Sequence, residues 1–316
     1  MAGLRAAFLG NDPWSVPSLR ALAGSSHQVA LVLTRTPRPG RRGAGPEPTA
    51  VSRAARDLGL PLLETPTVKE GPGLEELRRA EPGVVVVVAY GEILPPELLR
   101  LAPLGAVNVH FSLLPELRGA APVQHAILRG LERTGVTTIQ MDEGLDTGPI
   151  LLQAEEPVRE EDDAGSLGGR LAELGGRLLV ETLDRLARGD LAPRAQDHDR
   201  ATQAPKLRPE DRWIDWARPT EEIVRLVRAL SPEPGAATTF RDGGLKVLRA
   251  GDGVASAEAA SAPPGTILGA DDTGVLVRTG DGIVRLIQVA PAGRRRMAGA
   301  AFVRGHRPRP GERLGG

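Results

Sequence analysis

Apolar residues fall into short unbroken runs separated by longer mixed segments. The densest run is Val84–Val88, five consecutive valines that continue into Ala89. β-branched residues without polar alternation mark a strand covered on both faces, so a central strand of a parallel sheet is expected over residues 84–89. Ala106–His110 repeats the pattern one step later, while residues 5–9 and 29–34 form similar strands upstream, with a further short strand near Leu62. Helical patterns lie between them: one begins near Val16, and two others cover residues 49–58 and 74–80. After His110 come a turn at residues 112–115, a helix over 122–129, strands over 136–141 and 150–154, and a helix over 166–188. In that last helix Leu167, Leu171, Leu174, Leu178 and Leu186 recur at the spacing of one packed face. Strands alternating with helices in this way define an α/β fold, a Rossmann-like, doubly wound and mostly parallel sheet.

The pattern changes near residue 190. Residues 190–205 are polar and carry prolines, which places a linker between an N-terminal catalytic domain over 1–189 and a C-terminal domain over 206–316. Beyond the linker lies Trp213-Ile214-Asp215-Trp216, then a helix over 221–230 and alternating strands over 274–279 and 283–289. A smaller, mainly β domain is expected, with an OB-like barrel as its natural form. A length of 316 residues suits two domains.

Charge adds one fact. The net formal charge is zero, but residues 206–316 hold 18 Lys/Arg against 13 Asp/Glu, which leaves the first 205 residues with the opposite excess of five. A positive second half is compatible with an anionic partner and equally with a solvated surface. The absence of cysteine excludes disulfides, thiolate metal sites and a cysteine nucleophile. No apolar run approaches the ~18 residues of a membrane span, and the chain enters a strand directly instead of a basic-then-apolar leader, so a cytoplasmic protein is expected.

Candidate chemistry sits at the end of the second buried strand. Ligands of open parallel sheets bind beyond the carboxyl ends of the strands, and Asn108 and His110 stand there two residues apart, on one face. An asparagine amide can donate to a developing oxyanion, a histidine can take a proton from an attacking amine, and a carboxylate such as Asp146 can orient that histidine. These are the parts of an acyl or formyl transfer without a protein nucleophile. A strand-end histidine can also be a satisfied packing residue, and an aspartate beside glycine a turn former. Asp146 reaches the strand end only if the strands flanking its loop are neighbours of the second buried strand. No GxGxxG, Walker lysine or GxSxG elbow is present, and His27, His125, His198 and His306 are too dispersed to suggest a metal site.

Specific motifs surround these residues. Asn108-Val109-His110-Phe111-Ser112-Leu113-Leu114-Pro115, Arg118-Gly119-Ala120-Ala121-Pro122 and Gln140–Gly148 closely resemble the methionyl-tRNA formyltransferase family within the folate-dependent formyltransferases. Ala89–Pro95, Ile214-Asp215-Trp216, Pro264–Ile267 and Thr279-Gly280-Asp281-Gly282 extend the resemblance over nearly the whole chain. It implies transfer of a formyl group from 10-formyltetrahydrofolate to methionyl-initiator tRNA, without a metal and by a monomer. It implies Asn108, His110 and Asp146 as the catalytic residues, and a folate pocket lined by Gly91, Glu92, Ile93, Leu94, Ser112, Leu113, Leu114 and Pro115. It further implies that Arg38, Arg41 and Arg42, in the Arg-, Pro- and Gly-rich residues 35–48, contact tRNA, and that the C-terminal barrel holds it.

Two departures stand out. Gly10-Asn11-Asp12-Pro13 replaces the usual Gly-Thr-Pro, and Ala44-Gly45-Pro46 replaces the lysine pair and apolar tip of the insertion. Two other readings compete: a sugar-nucleotide N-formyltransferase of the same superfamily, and a non-enzymatic RNA- or nucleotide-binding α/β protein. The Arg-rich stretch and the positive second half favour tRNA over one sugar nucleotide. The binding-protein reading leaves the three polar residues at superfamily spacing without a reason.

Overall fold

The computed structural model describes residues 3–37, 47–253 and 261–315. The chain divides into two compact units, one of Met1–Pro122, Arg133–Pro157 and Gly168–Pro205, the other of Val123–Glu132, Val158–Leu167 and Lys206–Gly316.

The first unit is built on seven strands: β1 (Arg5–Gly10), β2 (Gln28–Arg35), β3 (Leu62–Thr65), β4 (Val84–Val88), β5 (Ala106–His110), β6 (Arg133–Gln140) and β7 (Ile150–Pro157). Their order is β3-β2-β1-β4-β5-β6-β7. β1 to β5 pair in parallel, so the chain winds outward from β1 in one direction and from β4 in the other. β6 and β7 then add two antiparallel strands at the β5 side. The expectation of a mostly parallel sheet therefore holds, with an antiparallel margin beside the candidate chemistry.

Burial explains the winding. All five residues of β4 are buried, none more than 5% exposed, and each valine taken out of water contributes about 1.5–3 kcal/mol before entropy is counted. Connecting helices α1 (Val16–Ala23), α2 (Ala50–Asp57), α3 (Pro72–Arg79) and the short α4 (Pro96–Leu99) precede β5. Thr49 caps α2 by accepting from Ser52 N at 2.9 Å. Helix α5 (Pro122–Leu128) precedes β6, and α6 (Ala164–Arg188) follows β7. A Cβ on Gly175 of α6 would stand 3.0 Å from the Val109 side chain, so the lack of one lets this helix lie close against β5.

Residues 190–205, expected to be a linker, instead close the first unit. Arg194 exchanges two backbone hydrogen bonds with Ile150, both 2.8 Å, and residues 202–204 pair with Arg118 through Arg118 N to Thr202 O and Ala204 N to Arg118 O. Residues 123–132 and 158–167, expected in the first domain, cluster with the second unit. There Gly165 N donates to Ser231 O and the Arg228 guanidinium bonds the carbonyls of Asp162 and Arg159.

The second unit carries helix α7 (Thr220–Ala229), strands β8 (Ala236–Phe240), β9 (Gly243–Asp252), β10 (Ile267–Ala270), β11 (Val275–Arg278), β12 (Ile283–Pro291) and β13 (Met297–Ala298), and helix α8 (Gly299–His306). The sheet is antiparallel in the order β10-β11-β12-β9-β8, with β13 on β12. Arg313 bridges Thr266 beside β10 and Leu314 bridges Phe240 of β8, so the C-terminal segment joins the two sheet edges into a barrel. Ile214 and Trp216 enter its core at strand spacing while Trp213, just before them, stays 55% exposed. The Trp216 indole donates to Thr238 Oγ1 at 3.1 Å. Among the described residues no helix is long and apolar enough to cross a membrane.

The Thr279–Gly282 turn has a definite task. The Asp281 carboxylate accepts from Thr220 N at 2.8 Å and from the Thr220 hydroxyl at 3.0 Å, closing the first turn of α7. These bonds, the backbone one foremost, hold the Asp281 carboxyl below its ordinary value of 3.8. A carboxylate held low in the folded state adds stability above its ordinary value and loses it as pH falls through the folded value. Asp281→Ala is expected to lower the unfolding temperature near pH 7, with the difference from the parent shrinking below about pH 4. Scanning calorimetry across that range checks it.

Candidate active site

The chain reverses its winding between β1 and β4, and a cleft of about 490 Å³ opens there at the carboxyl ends of the strands. One wall is the segment after β4, including Gly91, Glu92, Ile93 and Leu94, and the facing wall is the loop after β6, Met141–Asp146. Asn108 and His110 of β5 lie in its floor. The volume is that of a small-molecule site.

The His110 ring is 5% exposed and held at both nitrogens. Nε2 lies 3.0 Å from the Leu117 carbonyl. A carbonyl only accepts, so Nε2 carries the hydrogen and neutral His110 keeps its lone pair on Nδ1. That Nδ1 stands 3.6 Å from Asp146 Oδ2. The neutral ring is thus a proton acceptor, and the protonated ring has a carboxylate beside its new charge.

Asp146 also accepts from Asn108 Nδ2 at 3.4 Å and from Gly119 N at 2.8 Å. The Asn108 amide has two N–H groups, so one remains for a ligand oxygen. Asp146 has φ of 55° and Leu117 has φ of 58°, a left-handed conformation that non-glycine residues adopt at a cost of about 1–3 kcal/mol. Both residues that orient His110 therefore sit on unusual backbone.

The path of the Asp146 loop follows from the antiparallel margin. β6 runs against β5, with His110 opposite Thr137 and Val107 opposite Gln140. Met141 N accordingly bonds Ala106 O at the start of β5, and five residues later Asp146 is beside His110 at its end. The loop doubles back along the sheet. Asp142 is the turn former here, since its Oδ1 accepts from Gly144 N at 3.1 Å and from the Thr147 hydroxyl at 2.7 Å. Gln196, only 6% exposed, steadies the loop from outside: its Nε2 donates to the carbonyls of Asp146 (2.9 Å) and Gly148 (2.7 Å). Gln196 lay in a stretch with no periodic or motif signal and was not foreseen as part of the site.

The structure thus gathers Asn108, His110, Asp146 and Gly91–Leu94 about one cleft. The turn Ser112–Pro115, expected to line the folate pocket, is not in its wall. The Ser112 hydroxyl is tied to Glu116 O at 2.6 Å, Thr137 Oγ1 joins Ser112 O and Leu114 N, and Leu114 packs with Ile139 and Ile150. Arg38, Arg41 and Arg42 lie outside the described residues. No group of three His, Cys, Asp or Glu suited to a metal ion occurs among the described residues.

The altered first turn is integrated into the site. Asn11 Oδ1 accepts from Arg35 N at 2.7 Å and the Thr34 hydroxyl at 3.0 Å, while Nδ2 donates to the Tyr90 carbonyl. One amide thus ties the ends of β1 and β2 to the cleft wall after β4. Glu92 fixes that wall from the other side, accepting from Thr67 Oγ1 and Val68 N, with Arg35 Nη2 3.7 Å away. Burial pushes the Tyr90 phenol far above its ordinary range, so it stays neutral.

A doubly wound sheet with this strand-end group is the architecture of the formyl transferases. The formyl transferase family model matches residues 4–183 and the formyl transferase C-terminal domain model residues 206–307. The chain belongs to the methionyl-tRNA formyltransferase family. It is 45% identical over 314 residues to the methionyl-tRNA formyltransferase of Roseiflexus castenholzii, with 99% of each chain covered. The enzyme of the same name from Solibacter usitatus is 43% identical over 312 residues, again with 99% of each covered. Among solved structures, HypX from Aquifex aeolicus in complex with tetrahydrofolic acid shares the fold, with a TM-score of 0.67 at 20% identity over 95% of this chain. This chain spans 47% of that one.

Gly119 has no room for a side chain. Its φ is 123°, and a Cβ would come within 2.6 Å of the Ala204 carbonyl. Gly119→Ala is expected to cost about 1–3 kcal/mol of stability and, by displacing the N–H that holds Asp146, to slow formyl transfer by about 100-fold. Urea unfolding and a single-turnover rate measure the two effects.

Proposed function

We propose that Asn108, His110 and Asp146 carry out, in this chain, the transfer of a formyl group from 10-formyltetrahydrofolate to the α-amino group of methionyl-initiator tRNA, the reaction that prepares this tRNA for translation initiation. The observation that carries the assignment is the placement of His110: Nε2 3.0 Å from the Leu117 carbonyl and Nδ1 3.6 Å from the Asp146 carboxylate.

The folate co-substrate supplies the formyl carbon as an amide that an amine can attack. Gly91, Glu92, Ile93 and Leu94 hold it, together with apolar wall residues such as Val87 and Met141. The free N–H of Asn108 donates to the formyl oxygen as it gains negative charge, which is where a fixed donor accelerates most. His110 Nδ1 takes the proton that the attacking amine must lose. Asp146 stabilises the resulting imidazolium and keeps the ring turned toward the cleft. The described cleft lining holds Asp12, Glu92, Asp142, Glu143 and Asp146 and no lysine or arginine, so its field favours an approaching amine over an anion.

The tRNA end of the proposal rests on family membership and on the positive excess of residues 206–316. Arg38, Arg41 and Arg42 contact its phosphates, and residues 206–316 hold its body.

The deciding assay offers methionyl-initiator tRNA and a panel of amino-sugar nucleotides side by side, with 10-formyltetrahydrofolate as donor. Formylation of the charged tRNA alone is expected, and transfer only to a sugar would overturn the acceptor assignment. In the same assay Asn108→Ala and Asp146→Ala are expected to lose about 100- to 1,000-fold in kcat with the fold intact. Near-parental rates in either would remove the mechanism. Arg42→Ala is expected to raise KM for tRNA and leave KM for folate unchanged, and an unaltered tRNA dependence counts against the arginine.

A further inference from the structure

We infer that residues 196–204 form a positioning element for the reaction, acting through Gln196 and Thr202 on the two left-handed residues that orient His110. The inference rests on the catalytic reading of His110 and Asp146 given above and adds residues that touch neither substrate nor reacting atoms.

The geometry is specific. His110 has two partners, the Leu117 carbonyl at Nε2 and the Asp146 carboxylate at Nδ1. Each partner stands on a residue with positive φ that is not glycine. Such residues persist only where the surroundings over-determine them, and this one segment bonds the backbone of both. Thr202 Oγ1 accepts from Leu117 N at 2.9 Å, and Gln196 Nε2 donates to Asp146 O at 2.9 Å. Between them Ala204 N bonds Arg118 O, and the Ala204 carbonyl occupies the space above Gly119, whose N–H holds the Asp146 carboxylate.

Gln196 is suited to this by its inventory of hydrogen bonds. Its two N–H groups go to the carbonyls of Asp146 and Gly148, and its oxygen accepts from Arg118 Nε at 3.1 Å and Nη2 at 2.6 Å. All four capacities of a glutamine amide are used. Reversing the amide would set its oxygen against two carbonyls and its N–H groups against a guanidinium, so one orientation is enforced. Arg118 is itself 5% exposed and also meets His198 Nδ1 at 3.1 Å. The loop that bears Asp146 is thereby fixed to buried groups on its outer side while its inner side faces the cleft.

A shift of about 1 Å in a catalytic group is enough to cost roughly 100-fold in rate. Gln196→Ala is therefore expected to lower kcat by about 10- to 100-fold with KM for folate and tRNA changed less than about twofold. Gln196→Glu tests the same contacts with the size of the side chain kept. It keeps an acceptor for Arg118 but turns an acceptor toward the Asp146 and Gly148 carbonyls, so it is expected to be at least as slow as Gln196→Ala, with a lowered melting temperature and the rate read well below that temperature, where the chain is folded. Thr202→Ser keeps the acceptor for Leu117 N and is expected to retain the parental rate, whereas Thr202→Val loses about tenfold. In an Asp146→Ala background, Gln196→Ala is expected to add no further loss, because a residue that acts through Asp146 has nothing left to position.

The experiment is single-turnover formyl transfer with these variants of the full chain, with melting temperatures measured alongside. Parental kcat in Gln196→Glu, equal rates for Thr202→Ser and Thr202→Val, or a full additional loss on Asp146→Ala would each overturn the inference. Slow Asp146→Ala with a parental Gln196→Ala would remove the positioning element alone. A parental rate in Asp146→Ala itself would instead remove the catalytic reading on which it rests.

Discussion

Everything in the first unit depends on the fixed azimuth of one imidazole. A histidine free to rotate about its side-chain bonds presents either nitrogen to a substrate and spends little time as a directed base. In this chain the Leu117 carbonyl removes that freedom, because a carbonyl demands a hydrogen on Nε2 and thereby assigns the lone pair to Nδ1. Asp146 completes the arrangement at 3.6 Å. Neither partner lies on regular structure, and each adopts a left-handed backbone. The β-sheet supplies only the platform. The orientation comes from two short irregular segments held in place by a third.

That division of labour explains why the sheet ends as it does. A further parallel strand beside β5 would deliver its following loop to the same end as His110, with no need to run back along the sheet. The antiparallel β6 instead passes His110 at Thr137 and leaves its loop at the far end, beside Ala106. The nine residues 141–149 must then cover the length of the strand, which carries them over the face where Asn108 and His110 project. A loop lying along a sheet contacts several strand positions at once. Asp146 accordingly meets both Asn108 and His110 with one carboxylate.

The readable part of this structure is the part built from periodic burial. The five valines of β4, the short apolar run of Ala106–His110 and the leucine spacing of α6 each state their environment, because a buried face restricts residue type at every turn or pleat. Ile214 and Trp216 flank Asp215 at strand spacing and do enter the core of the second unit together. What local pattern could not state was direction: nothing in residues 133–140 distinguishes an antiparallel from a parallel neighbour. Motif resemblance placed Asn108, His110 and Asp146 in one site, yet it also put Ser112–Pro115 into the pocket wall, where Thr137 and Leu114 packing hold them aside. Gln196 was invisible for another reason. Its surroundings are polar and contain prolines, the composition of a linker, and its burial is created by hydrogen bonds to distant residues and not by any apolar stripe.

The departure at Asn11 shows how such polar positions tolerate change. The site uses one donor, to Tyr90 O, and two acceptors, from Arg35 N and the Thr34 hydroxyl. In the turn Gly10-Asn11-Asp12-Pro13 one asparagine amide supplies all three. The requirement at this wall is a count of hydrogen bonds joining β1, β2 and the segment after β4, because an unpaired group left among buried strand ends costs more than the pairing contributes. The same logic governs Gln196, with one difference: its four partners are two carbonyls and a guanidinium fork, a set that no hydroxyl can satisfy, so substitution there has far fewer chemical equivalents.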